Sequence, residues 1–216
     1  ILDAATQSWK PVEFGGRITL GDSISTKEAS QVEITFCGEN TMRLHENTRV
    51  RLKKEYDTAG IAFINVYNGN GTVLSSIKRI PEGNDRYRVT TPTSAAVVKG
   101  TIFSVTHSVS LGTDIHCFEG RVWAFNPFLP PAPPVIILPG FFTTVPFGLV
   151  PVVPVHIPPG QWKKFHGFMP APMFVSFTKK FKVHGMEPFW GMPMVDMHGK
   201  HLKIHPGKAV VKVNGG

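Results

Sequence analysis

The segment from Thr91 to Val105 constrains the fold of this chain more than any other stretch. Its sequence, TPTSAAVVKGTIFSV, reads as a turn, a short apolar strand, a break at Gly100 and a second strand. Thr91 precedes a proline, which pushes it towards extended backbone geometry, and a glycine at position 100 permits a positive φ or a close backbone approach. In the second strand Phe103, Val105 and Val109 alternate with polar residues, so we expect these three side chains to share one buried face.

Short alternating segments of this kind recur between turn signals along the first 125 residues. Val32, Ile34 and Phe36 alternate with polar residues, and no window shows the apolar period of an amphipathic helix. The sequence NGNG at residues 68–71 predicts a hairpin turn, because type I′ turns need a positive φ at both central residues. Together these patterns predict an all-β fold, a sandwich or roll of short strands.

Several motifs, in order along the chain, resemble the FecR-type domain, a β-rich module of bacterial cell envelopes. The segment from Thr91 to Val105 resembles that family's core signature, and GDSI at 21–24, followed by Thr26, resembles its early turn and strand. Further similarities are the paired strands within 31–52, the turn EGRV at 119–122 and the closing PGQ at 159–161. The resemblance reaches from Val12 to Phe165 and implies a β-rich domain of the cell envelope, which the family's regulators use in signalling.

The chain departs from the family pattern at three points. Lys99 stands where the family usually has arginine, and a proline-rich insertion separates Phe125 from Ile157. The family's regulators also carry an anti-sigma segment and a transmembrane helix, and we expect neither here, since no apolar run reaches the about 18 residues that span a bilayer. The start at Ile1 favours a processed N-terminus, so we expect a secreted, extracellular or periplasmic protein.

The composition divides the chain into three parts. Residues 1–125 are expected to form the FecR-like β-domain, 126–159 an uncharged proline-rich arm inserted before the closing strand, and 160–216 a basic His/Met-rich β extension. An exposed apolar arm usually marks an interaction site. We expect the arm to dock on a copy of the chain or another partner, with docking on its own domain as the alternative. The candidate contact residues are Phe128, Val135, Ile137, Phe141, Phe142, Phe147 and Val153.

The C-terminal part carries the charge imbalance of the chain. Residues 160–216 hold nine lysines against Glu187 and Asp196, which favours an acidic partner or an anionic surface, or else a solvated face with no partner. We expect no nucleic acid, because base and phosphate recognition favours arginine and none follows Arg121. Thioethers with imidazoles suit copper, although methionine also fills gaps in packing. The candidate copper ligands are Met186, Met192, Met194, Met197, His198, His201 and His205.

The remaining reactive side chains give no support for catalysis. His107 and His116 lie on predicted strands near Asp114, but no hydrolase, metalloprotease or nucleotide-binding motif occurs, so we predict no enzyme and no catalytic residue. Cys37 and Cys117 lie in predicted strands and would pair in an oxidising compartment. The alternative is two separate buried thiols that act as small apolar side chains.

These observations support three hypotheses about function. The leading one is a secreted or surface structural protein that binds copies of itself through the arm, as a filament subunit. The first alternative is a periplasmic FecR-like sensing or binding module that docks a receptor or an envelope polymer. The second alternative is a copper-binding envelope protein that uses its Met/His-rich tail.

Overall fold

The computed structural model describes residues 1–11, 17–36, 39–56, 60, 62–78, 87–166, 179–184, 194–195, 201–202 and 208–214. Within these ranges one short helix, α1 (Pro159–His166), accompanies 18 strands. The strands are β1 (Arg17–Thr19), β2 (Ser23–Ser25), β3 (Gln31–Phe36), β4 (Asn40–Leu44), β5 (Arg49–Tyr56), β6 (Ala62–Ile77), β7 (Tyr87–Thr90), β8 (Ala95–Val98), β9 (Thr101–Ser108), β10 (Gly112–Glu119), β11 (Val122–Phe125), β12 (Val135–Ile137), β13 (Phe141–Val145), β14 (Val155–His156), β15 (Lys179–His184), β16 (Met194–Val195), β17 (His201–Leu202) and β18 (Lys208–Asn214). The predicted all-β class is confirmed.

Sixteen strands of the described part form one curled sheet, and β16 and β17 form a separate ribbon. The curl gives two layers. The first layer runs β2-β5-β6-β7-β8-β11-β12. The second layer runs β1-β15-β18-β3-β4-β6-β9-β10-β13-β14. The predicted sandwich or roll is therefore a sheet that curls over on itself.

Strand β6 belongs to both layers. Its first half pairs antiparallel with β5 and parallel with β7, in the first layer. Its second half pairs antiparallel with β4 and β9, in the second layer. The continuous run of 16 residues therefore carries the chain from one layer into the other without a loop.

The hairpin predicted at residues 68–71 is wrong, because the chain does not reverse there. Gly71 does have a positive φ of 89°, as the turn prediction required. The register nevertheless shifts between Arg49, which pairs with Asn70, and Val50, which pairs with Asn68. Gly69 is thus the extra residue of a β-bulge, which bends and twists a strand where a hairpin would end it.

The core lies between the two layers and follows their register. One row across the second layer consists of Val32, Leu44, Val73, Val105 and Ile115. The matching row across the first layer consists of Leu52, Val66, Val89, Ala96 and Ala124. All ten side chains are buried in one cluster, which is the expected result of period-2 alternation on facing sheets.

Tyr87 joins the layers at the centre of this core. Its ring stacks on Phe36 with a centroid distance of 5.7 Å and meets the edge of Phe103 at 6.1 Å. Its hydroxyl lies 3.0 Å from Oγ of Ser75, which satisfies the one polar atom that the ring brings into the interior. Burial raises the pKa of Tyr87, so the phenol stays protonated.

The segment from Thr91 to Val105 folds as predicted up to its last strand. A turn precedes β8, Gly100 has a φ of 67°, and β9 follows. The expected position of Val109 is wrong: it lies beyond the end of β9, in the turn to β10, and is 73% exposed. His107 takes the last inward position of β9 instead and is buried.

The proline-rich arm packs on its own domain. Strand β12 pairs with β11, β13 pairs with β10 over five residues, and β14 pairs with β13. Its prolines lie between these strands, so none of them removes a donor from a ladder.

Gly160 and Gln161 lie in α1, so the element after the arm is a helix and not the closing strand we expected. The C-terminal β extension returns to the second layer, where β18 pairs with β3 and β15 with β1.

Candidate functional site

A buried network of hydroxyl groups lies in the segment from Thr91 to Val105, the signature segment, where its first turn leads into β8. Oγ1 of Thr113 is its centre, at 2.8 Å from Oγ1 of Thr91 and 2.6 Å from Oγ1 of Thr93. Thr91 Oγ1 also accepts a hydrogen bond from the backbone N–H of Ser94, at 2.9 Å. These side chains are at most 1% exposed. The network therefore holds the signature turn against β10 from within.

His107 joins this network but lacks the setting of a catalytic base. Its Nδ1 lies 2.9 Å from Oγ1 of Thr113, and its ring meets the edge of Phe147 at a centroid distance of 5.9 Å. Burial lowers the pKa of His107 and favours the neutral ring. Thr113 is fully buried, so no substrate in solution reaches its hydroxyl. This pair is a structural contact.

His116 forms a second buried cluster, between β10, β13 and α1. Its ring stacks on Phe142 and tilts against Phe165, each with a centroid distance of 5.0 Å. Its Nε2 donates to Oε1 of Gln161 at 2.9 Å. Burial lowers the pKa of His116, while Gln161 and the charge of Asp114 act in the opposite direction. The cluster attaches α1 to the sheet.

Two of the sequence motifs meet through their glycines. Gly120, with a φ of 80°, approaches so closely that an added Cβ would lie 2.4 Å from the carbonyl oxygen of Gly100. Oγ1 of Thr101 donates to the carbonyl oxygen of Arg121 at 3.0 Å. The turn at 119–122 and the glycine of the signature segment are therefore one packing unit. The close approach accounts for Gly120, and the positive φ of 67° accounts for Gly100.

The arm presents an uncharged apolar surface beside these clusters. Of the seven predicted contact residues, Ile137 is fully buried in the core, and Val135, Phe141 and Phe142 are half-buried against the arm's own domain. Phe128, Phe147 and Val153 remain exposed, the last at 81%. The sequence contains no charged residue from Asn126 to Gln161. One side of the arm thus packs inward while the other faces solvent.

Several exposed apolar residues near the arm were missed by sequence reasoning. They are Ile136, Leu138, Leu149, Val150, Val152 and Val155 in the arm, and Val109 and Leu111 in the β9–β10 turn. The β9–β10 turn lies against the arm, because an added Cβ on Gly112 would be 2.4 Å from the carbonyl oxygen of Val145. Alternation within residues 135–138 could have identified Ile136 and Leu138, since Ile137 between them is the buried residue.

The predicted copper ligands lie largely outside the described residues, as Met186, Met192, Met197, His198 and His205 do. Met194 and His201 lie on the paired strands β16 and β17. Within the part of the chain that the structure describes, no group of three or more His, Cys, Asp and Glu residues could hold a metal ion. Copper binding stays a prediction.

The predicted disulfide also involves a residue that the structure does not describe. Cys37 lies outside the described residues. Cys117 is buried, with Sγ at 3.7 Å from the carbonyl oxygens of Glu119 and Gly120. Burial raises the pKa of the Cys117 thiol to about 12. The pairing stays a prediction.

Comparison with solved structures supports the fold. Two crystal structures of a "putative anti-sigma factor" from Parabacteroides distasonis are similar to this chain. One is 17% identical with a TM-score of 0.51 and is matched over 67% of this chain and 64% of its own length. The other is 18% identical with a TM-score of 0.49, over 62% and 59% respectively. The chain thus spans about three fifths of the length of these structures. At 17% identity, the structure with a TM-score of 0.51 supports the fold alone.

Three further results concern the sequence and the membrane. No curated protein matches the chain. Among the helices of the described ranges, none has the length and apolar character needed to span a bilayer. Residues 22–123, which include the signature segment and the turn at 119–122, match the family described as FecR protein. The chain therefore carries a FecR-type domain over residues 22–123.

Proposed function

We propose that this chain is a FecR-like binding module of the bacterial cell envelope, which recognises another protein through the exposed side of its arm. The observation that carries the proposal is the arm itself. It is fixed to the sheet through buried Ile137 and through β13, yet it leaves a run of apolar side chains in water. A preformed apolar surface of this kind loses little conformational entropy on binding.

The edges of the arm also suit recognition by a partner more than polymerisation. Strands β12 and β14 each pair on one side only within the described sheet. Pro134 and Pro139 flank β12, and Pro154 and Pro158 lie close to β14. Short edge strands bounded by prolines limit uncontrolled pairing between copies. This arrangement favours a module with a defined partner over a filament subunit.

The family relationship points in the same direction. A FecR-type domain belongs to a regulatory family, and the structural neighbour in Parabacteroides distasonis is described as an anti-sigma factor candidate. A periplasmic sensing role, with the arm as the contact surface, accounts for these observations together.

Site-specific photo-crosslinking in the bacterium that produces the protein tests this proposal. A photoreactive residue would replace Val153 or Phe128, which are exposed on the arm, and Lys27, an exposed turn residue, as the control. We expect one adduct of fixed size with a different protein from the two arm positions and none from position 27. A photoreactive residue placed on the captured protein must in turn crosslink to the arm.

Two outcomes would contradict the proposal. A ladder of adducts between copies of the chain would support the filament hypothesis instead. Equal labelling of many proteins from all three positions would show that the arm has no defined partner. Thermal melting of each variant checks that the fold is unchanged.

A further inference from the structure

The outer face of the first layer carries a row of basic side chains. Along β5, Arg49, Arg51 and Lys53 alternate with buried Val50 and Leu52. The three basic side chains are exposed. Alternate residues of a strand lie about 6.5–7 Å apart on one face. The strand therefore presents three cations in a line with a regular spacing.

Two of these cations are held in position by neighbouring groups. The guanidinium of Arg49 lies over the ring of Trp9 at 5.4 Å from its centroid. Nε of Arg51 donates to the carbonyl oxygen of Gly21 at 3.1 Å. Both contacts restrict long flexible side chains before any ligand arrives. Preorganised cations lose less entropy when an anion binds them.

The strands beside β5 extend this face with aromatic and polar groups. Tyr67, which is 37% exposed, lies opposite Arg51. Arg88 lies two strands away from Lys53, in the same row across the sheet. The guanidinium of Arg88 stacks over Phe63 at 4.3 Å. The exposed half of the Trp9 ring borders the same face. We call the surface of Trp9, Arg49, Arg51, Lys53, Tyr67 and Arg88 the basic face.

Among the described residues, acidic side chains offset this charge only in part. Glu55 shares the outward side of β5 but lies at the end of the strand, beyond Lys53. Asp3, near Trp9 in sequence, forms an ion pair with Lys10 at 3.1 Å. The row from Arg49 to Lys53 therefore keeps a positive field, which attracts anionic ligands and accelerates their encounter.

We propose that the basic face binds a linear acidic polysaccharide that runs along β5, with Tyr67 and Arg88 on the strands beside it. A row of cations suits a polymer that carries many negative groups along its length. The ring of Tyr67 offers an apolar plane to the C–H groups of a sugar, and an open strand surface accepts an extended polymer where it would not enclose a small molecule.

A glycan suits this face better than a nucleic acid does. One reason is the proposed location of the chain in the cell envelope, and the other is the aromatic residues, because single-stranded nucleic acids use a series of open rings on which bases stack. Here Arg49 covers one side of Trp9, which leaves Tyr67 as the open ring at the centre of the face. The basic row is a separate surface from the arm and does not depend on it.

Binding of the full chain to a size-defined polygalacturonate, measured by titration calorimetry at low and moderate salt, tests this site. The variant Arg51→Glu with Lys53→Glu should bind at least about 10-fold more weakly, and its salt dependence should be shallower, because fewer counterions are released. The control, Lys78→Glu with Arg121→Glu, makes the same change in net charge at two exposed positions away from β5. It should stay within about 2-fold of the wild type.

A second variant separates the contribution of the ring from that of charge. Tyr67→Ser should weaken polygalacturonate binding while leaving the salt dependence unchanged. Neutral dextran should not bind to any of these proteins. All variants should melt within a few degrees of the wild type, since the substituted side chains face solvent.

Three results would overturn the proposal. They are equal losses in both charge-reversed variants, no binding of the wild type at low salt, and tighter binding of a single-stranded oligonucleotide of equal charge than of polygalacturonate. Crosslinking from Val153 should be unchanged in the Arg51→Glu, Lys53→Glu variant. A failure of this site is therefore distinguishable from a failure of the arm as a docking surface.

Discussion

Nε2 of His116 lies 2.9 Å from Oε1 of Gln161, a residue 45 positions later in the chain. This hydrogen bond connects the middle of β10 to α1 and is enclosed by the rings of Phe142 and Phe165. It is the polar contact that places the helix after the arm. The stability of this junction consequently depends on the protonation of one imidazole.

We expect the protein to lose stability as the pH falls below about 6.5, the ordinary pKa of histidine. Burial lowers the pKa of His116 and His107, and burial together with Arg43 lowers that of His45 to about 4. Between the folded and the unfolded pKa the unfolded chain binds more protons, so unfolding becomes easier. The loss should be up to about 1 kcal/mol per pH unit for each histidine.

Denaturant titrations at pH 7.5 and pH 5 measure this effect. The variant His116→Asn removes one titrating group, so its stability should depend less on pH than that of the wild type. Identical pH profiles for the two proteins would show that His116 is not protected from protonation in the fold.

Replacement of Gly71 by alanine should unfold or severely destabilise the domain. The new Cβ would lie 2.3 Å from Oγ1 and 2.5 Å from Cα of Thr48, at a φ of 89°. We expect a loss of at least about 3 kcal/mol, from strain together with the steric clash. Gly148→Ala is the matched control, because φ is also positive there but nothing lies within 4 Å. It should cost about 1 kcal/mol in chemical denaturation, and equal effects would refute the close approach at Gly71.

The hydroxyl network predicts that Thr113→Val is more damaging than its size suggests. Thr91, Thr93 and His107 would each lose a buried partner. The expected loss is about 2–3 kcal/mol, because unpaired buried polar groups are costly. Thr106→Val, which removes a single contact to Thr72 in a partly buried position, should cost under about 1 kcal/mol. Comparable losses in urea titrations would show that Thr113 has no central role.

Two adjacent isoleucines report whether the arm packs on its own domain in solution. Ile137 is fully buried and Ile136 is 50% exposed. Ile137→Ala should lower the free energy of unfolding by about 2–4 kcal/mol, and Ile136→Ala by less than about 0.5 kcal/mol. Melting temperatures should not change with protein concentration. A concentration-dependent loss in Ile137→Ala would show that the arm packs on another copy.

The predicted Cys37–Cys117 disulfide is checked by counting thiols. In the native protein Cys117 should not react in either state, because its side chain is buried and a free thiol with a pKa of about 12 would almost never be a thiolate. After denaturation without reductant, a paired protein shows no thiols and a reduced one shows two. We expect none in material isolated from an oxidising compartment, and two would contradict the pairing.

Much of the fold followed from local patterns in the sequence. The alternation of Val32, Ile34 and Phe36 and the glycine at position 100 predicted strands and a break that the structure contains. The NGNG sequence misled because glycine also occurs at a β-bulge, here Gly69, and at a close backbone approach, here Gly71, as well as in a hairpin turn. The choice between them depends on Thr48, which lies against Gly71 but is distant in sequence.

The arm was harder to interpret for a related reason. Its composition indicated an exposed apolar segment, and this holds for Phe128, Phe147 and Val153. Whether its inner side packs on the same chain depends on register with β10 and β11, which composition does not encode. The basic face was missed because residues 1–159 are nearly balanced in charge, and only strand alternation brings Arg49, Arg51 and Lys53 together.

Strand β6 has a consequence for how the domain can be divided. Because one strand supplies hydrogen bonds to both layers, neither layer keeps its ladder if the other is removed. We therefore expect a single cooperative unfolding transition and no autonomously folding half. A cut within residues 62–77 should therefore abolish the whole domain at once.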